Sequence, residues 1–173
     1  MARLLVLTST VVALLAATPV DAKRKPPPKK TSPAATVLKD CVADGDLDAV
    51  YRTRVLKTAL RQMPKDVRTY TDCDDVVRAA ITAGRTVYVK RNRARLKVRC
   101  TGRAYGASIS QGDTVLAAGT VPKCRRGTRV ARLLGQAPVA LRRAARKHRT
   151  ARVTLTPSGM VLSVMVELRP FKR

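Results

Sequence analysis

The chain has 173 residues, of which 36 are Lys or Arg, 11 are Asp or Glu and one is His, giving a net charge of +25 at pH 7. A single histidine excludes a His-rich metal centre, and an aromatic content of 3% leaves little surface for stacking on bases. A charge of this size points to polyanionic partners met through Lys and Arg.

The first residues, Met1-Ala2-Arg3 followed by an apolar run from Leu4 to Ala17, have the pattern of a secretory signal peptide. Val20 and Ala22 satisfy the small-residue cleavage rule, so the expected signal peptide is 1–22. The run is short and broken by Thr8, Ser9, Thr10, Thr18 and Pro19, below the roughly 20 apolar residues a membrane span prefers. No later segment qualifies as a span, so no transmembrane segment is expected after cleavage. Residues 23–35, KRKPPPKKTSPAA, carry five basic groups and three consecutive prolines and read as an extended, solvated linker.

Residues 36–84 read as a small helical module. Val37, Leu38, Cys41 and Val42 recur at helical spacing before Gly45. Val55, Leu56, Ala59, Leu60 and Met63 do so again, stopped by Pro64. A third run, Val76, Val77, Ala80 and Ile81, follows Thr71 and closes at Gly84. Thr71 with Asp74 matches a capping arrangement, and Gly84 suits a helix C-terminus.

Residues 85–173 change to a period of two. Leu96, Val98 and Cys100 alternate with Arg95, Lys97 and Arg99, and Val153 and Leu155 alternate with Arg152 and Thr154. Leu162, Val164, Val166 and Leu168 share one face. Thr86–Lys90, Thr114–Val121 and Thr128–Leu133 are further strands. Short strands with one apolar face predict a small antiparallel β-sandwich, crossed by one helix over Pro138–Arg149. The expected fold class is α+β in two modules.

Charge marks the same boundary. From Val37 to Ala83, eight basic residues balance eight acidic ones; from Gly84 onward, 22 Lys and Arg face only Asp113 and Glu167. The four cysteines, Cys41, Cys73, Cys100 and Cys124, contain no C-x-x-C pair and read as disulfides in an exported chain. Two fall on each side of the boundary, which favours Cys41–Cys73 and Cys100–Cys124.

The segment LKDCVADGDLDAVYRTRVLKTALRQMPKDVRTYTDCDDVVRAAI resembles a module of uncharacterised exported proteins of high-GC actinobacteria. The shared pattern is D-C, D-G-x-L, a Tyr, L-x-x-A-L, Leu or Met before Pro, D-x-x-x-Y and D-C. The second half is similar to Ig-like domains of the same bacteria, with a V-x-V-R-C strand, a basic A-R-R segment and a final A-R-V-T-L-T strand. Cys124 comes later here than in that pattern. The resemblance implies an exported two-module protein and no activity.

Asp40, Asp44, Asp46 and Asp48 fail as a calcium loop in both registers. From Asp44, Ala49 and Val55 take positions 6 and 12; from Asp40, Gly45 fits but Tyr51 takes position 12. They read as turn and cap residues, and no metal or other cofactor is expected. His148 stands between Lys147 and Arg149 with no carboxylate nearby in sequence, the GASIS segment at Ser108 lacks a nucleophile elbow, and Asp74-Asp75 suit a helix N-terminus. The expectation is a non-enzymatic protein.

The functional signal is basic: Arg125, Arg126, Arg142, Arg143, Arg146, Lys147 and Arg149, matched to anionic cell-wall polymers or an anionic lipid surface. The plain alternative is a solvated face enriched in Arg by coding bias. Nucleic acid is disfavoured by the exported address. The expected role is an envelope-associated binding or structural protein. The alternatives are an enzyme on wall material with an unrecognised site, or a secreted cationic membrane-active antagonist.

Overall fold

The structure, a computed structural model, describes residues 31–171. The expected signal peptide and linker residues 23–30 lie outside the described residues. Four helices come first: α1 (Pro33–Asp44), α2 (Thr53–Gln62), α3 (Lys65–Tyr70) and α4 (Cys73–Ala83). Ser32 caps α1 by accepting the Ala35 N–H at 3.2 Å, so the last residues assigned to the linker are helical. Gly45, at φ +84°, closes α1 in a left-handed conformation that a side chain would disfavour. α4 starts later than a Thr71 cap implies. Asp72 occupies the cap position, the Thr71 hydroxyl accepts from Cys73 N–H, and Asp74 turns to Arg78 and Arg68. No helix among the described residues is long and apolar enough to cross a membrane.

Seven strands follow: β1 (Thr86–Lys90), β2 (Arg93–Arg99), β3 (Tyr105–Gln111), β4 (Thr114–Val121), β5 (Thr128–Gly135), β6 (Thr150–Thr156) and β7 (Leu162–Pro170), with helix α5 (Pro138–Arg146) between β5 and β6. They close into a barrel in the order β1-β2-β5-β4-β3-β6-β7. This corrects the expected antiparallel Ig-like β-sandwich. The last strand returns beside the first and pairs with it in parallel, from Thr86 opposite Glu167 to Val89 opposite Pro170, while every other pairing is antiparallel. Closure pairs the two edges that a sandwich would leave open.

The barrel closes incompletely by strands alone. β1 is five residues long, so Leu96–Arg99 of β2 and Leu162–Val166 of β7 have no β1 partner on that side. α4 packs against both β2 and β7 there, burying Val76, Val77, Ala80 and Ala83. Leu47, in the α1–α2 loop, adds a parallel bridge to Val164 and is 2% exposed. Helices and strands therefore share one hydrophobic core running from Ala34 to Leu168.

The acidic loop ties down the same junction. Asp46 and Asp48 receive the two guanidinium nitrogens of Arg152 on β6, at 2.8 and 2.7 Å. Asp40 accepts from the Tyr51 hydroxyl at 2.8 Å and from Asp48 N–H, and Asp44 accepts from Asp46 N–H. Burial first, and then the bond to Asp40, raise the Tyr51 pKa above its ordinary value. All four carboxylates are engaged in holding the loop. Both disulfides form as the charge boundary favoured, Cys41–Cys73 joining α1 to α4 and Cys100–Cys124 joining the loops after β2 and β4.

Candidate polyanion-binding face

The alternation of β1, β2 and β5 sends Val87, Val89, Ala94, Leu96, Val98, Ala131 and Leu133 inward. It leaves Lys90, Arg93, Arg95, Lys97, Arg99 and Arg132 on the outer face, and none of the three strands carries an acid. Register then sets like charges opposite one another: Lys90 faces Arg93, and Arg95 faces Arg132. Directly opposed like charges destabilise a sheet, by on the order of 0.5 kcal/mol per pair in water and more where water is thinned. Among the described residues after Gly84, only Arg152 and Arg169 of the Lys and Arg side chains are within ion-pair distance of a carboxylate. The six cations of the face have no such partner.

At the β1–β2 turn the face becomes a cleft of about 400 Å³ lined by Lys90, Arg91, Asn92, Arg93, Arg95 and Arg132. Arg91 holds φ at +56°, a left-handed conformation costing a side-chain-bearing residue on the order of 1 kcal/mol. The turn is fixed by close backbone approach. Gly135 N–H donates to the Asn92 carbonyl at 2.7 Å, and a Cβ on Gly135 would stand 2.9 Å from that oxygen. Phe171 is pinned beside β1 by its N–H bond to Val89. Its ring lies 5.1 Å from the Arg95 guanidinium and 5.6 Å from the Lys90 ammonium, with Tyr88 edge-on. These cation–π contacts hold two cations in place without neutralising them. A Gly135→Ala change is expected to push the turn outward, costing about 1–3 kcal/mol in thermal or urea unfolding and weakening anion binding at the cleft.

The residues expected from sequence do not gather into one site. Arg125 and Arg126 lie in the loop before β5, whereas Arg142, Arg143, Arg146, Lys147 and Arg149 lie on or just after α5, which follows β5. The eight residues of β5 separate these ends by roughly 25 Å. All seven side chains are exposed. Those around the α5 C-terminus also complement the negative end of its macrodipole, so they are accounted for without a ligand. The opposed pairs on the sheet have no carboxylate partner among the described residues, and the Phe171 ring offsets only part of their repulsion, at Lys90 and Arg95. The residues expected to bind do not include this face: RARLKVR shows Arg93, Arg95, Lys97 and Arg99 at strand period, but nothing local distinguishes them from a solvated face.

Other features are explained by the fold. His148 and Arg169 both reach Glu167, whose carboxyl is held below its usual range chiefly by the Arg169 hydrogen bonds and then by His148, against the opposing effect of burial. A second cavity of about 300 Å³ lies between α4 and the far end of the barrel, walled by Ala79, Val98, Leu155, Met160 and Leu162. Its Arg78 is turned to Asp74, and its Tyr105 hydroxyl donates to the Arg99 carbonyl. No hydrogen bond joins two polar side chains of its lining. Among the described residues, no cluster of three His, Cys, Asp or Glu side chains could hold a metal ion.

With all four cysteines bonded, the chain suits an oxidising compartment outside the cytoplasm. No protein-family model and no curated protein matches it. Among solved structures it is similar to the crystal structure of the ligand binding region of Serine-glutamate repeat protein A (SgrA) of Enterococcus faecium. That likeness has 6% identity over 53% of this chain and 93% of the other, with a TM-score of 0.35, and at that score it carries neither fold nor function to this chain.

Proposed function

We propose that this is a secreted, non-enzymatic protein of the cell envelope that binds anionic surface polymers on the outer face of β1, β2 and β5. The observation that carries this reading is the set of opposed cations without a carboxylate partner among the described residues: Lys90 across from Arg93, and Arg95 across from Arg132. Bound anions convert that repulsion into charge-assisted hydrogen bonds, and the planar Arg forks suit phosphate oxygens. The α5 cations border the same end of the barrel and add to the long-range field.

The test is co-sedimentation of the protein with purified cell walls across a salt series, with the anionic polymers intact or stripped. Binding is expected to saturate, to require the polymers and to fall steeply with salt. Arg95→Glu with Arg132→Glu is expected to lower affinity by about tenfold or more, since two phosphate-facing charges are reversed. Salt-insensitive binding, or affinity unchanged in that variant, would contradict the assignment.

A further inference from the structure

We propose that the polymer held here is a polyol phosphodiester, phosphates bridged by three-carbon polyols, lying along β2 so that successive phosphates meet Arg93, Arg95, Lys97 and Arg99. This rests on the polyanion reading above and adds the identity of the repeat. Outward side chains on a strand recur every second residue, about 6.6–6.8 Å apart. Six backbone bonds separate their Cα atoms. A phosphodiester with a three-carbon bridge also places six single bonds between phosphorus atoms, through P–O–C–C–C–O–P. An extended six-bond repeat spans about 6.6–7.2 Å, so the two chains stay in step. Over the three intervals from Arg93 to Arg99, about 20 Å, a polymer with charges at every second bond crowds the cations. One with a single carboxylate per disaccharide skips them.

The neighbours of β2 favour this single-file reading. At the turn end Arg132 stands opposite Arg95, so one phosphate is grasped by two guanidinium groups. Farther along, Lys97 faces Val130 and Arg99 faces Thr128, which leaves β2 as the charged track. A single-stranded nucleic acid shares the six-bond spacing, but its bases need aromatic platforms. The aromatic rings on this face, Tyr88 and Phe171, meet each other edge-on beside Lys90 and Arg95, and none stands opposite Lys97 or Arg99.

The experiment is titration of the full chain with poly(glycerol phosphate), inorganic polyphosphate, hyaluronan and oligothymidylate of matched contour length, at several salt concentrations. Poly(glycerol phosphate) is expected to bind most tightly, by about fivefold or more, with log K falling about threefold as steeply as log salt rises, the slope for four phosphates. Lys97→Glu is expected to weaken it about tenfold and to reduce that slope by about one. Lys57→Glu, the same charge change on the exposed face of α2, is expected to weaken it less than about twofold. Equal losses in the two variants, or equal affinity for all the polyanions, would overturn the ladder and leave general polyanion binding standing. Oligothymidylate binding as tightly as poly(glycerol phosphate) would overturn the polyol assignment in favour of nucleic acid. Failure of every polymer to bind at about 0.15 M salt would overturn both readings.

Discussion

Residues 85–173, produced without α1–α4, are expected to show no cooperative unfolding transition. The charge boundary at Gly84 invites that cut, and α4 does hand over to β1 there. The core does not respect it. Removing α4 and Leu47 uncovers the stretch where β2 and β7 lack β1, exposing Leu96, Val98, Leu162 and Val164, each 6% exposed or less in the intact fold. It also frees the β7 edge that Leu47 bridges. Uncovering several aliphatic side chains at about 1.5–3 kcal/mol each removes most of a stability that for ordinary domains totals about 5–15 kcal/mol. Far-UV circular dichroism through a urea titration checks this. A sigmoidal transition in the fragment, comparable in midpoint to the full chain, would show that the barrel stands without its wedge.

Replacing Cys41 and Cys73 together by serine is expected to cost about 3–4 kcal/mol through the loss of a crosslink closing 32 residues, and about 1 kcal/mol more for two hydroxyls left in the core. Both sulfurs belong to residues at most 1% exposed, and the bond joins the first helix to the one that wedges the barrel. The Cys100–Cys124 bond closes 24 residues, a difference in chain entropy worth only about 0.3 kcal/mol. Loop length therefore barely separates the two pairs, and burial does. Cys100 and Cys124 are half-buried at the rim, where serine meets water, so their double replacement is expected to cost about 1–2 kcal/mol less. Equal shifts in urea midpoint for the two double variants would contradict this ordering.

Elements whose signal is local were legible in the sequence. The apolar spacing of Val55, Leu56, Ala59 and Leu60 marks α2, Pro64 marks its end, and the alternation of RLKVR marks β2 with the correct face inward. β3 was passed over because YGASISQ alternates Tyr105, Ala107 and Ile109 with residues small enough to read as a loop. A Cβ on its Gly106 would stand 2.8 Å from the hydroxyl of exposed Thr156, so a larger residue there would make that side chain turn away. α3 has only six residues and no buried side chain, so no apolar period announces it. The barrel itself was illegible for a different reason. An inward apolar face suits sandwich and barrel alike, and what distinguishes them is the β1–β7 pairing between distant segments. The candidate face was hidden likewise. RNRARLK shows its cations locally, but Arg132 joins Arg95 only through the register of β2 with β5.

The parallel seam between β1 and β7 carries a consequence in time. The barrel's first strand can be paired on both sides only after its last strand has been made, and partners so far apart in the chain form late and slowly. Cys41 and Cys73 lie close enough in sequence to find each other beforehand. The crosslink between α1 and α4 can therefore form while the barrel is still open, and the β1–β7 seam shuts the barrel last.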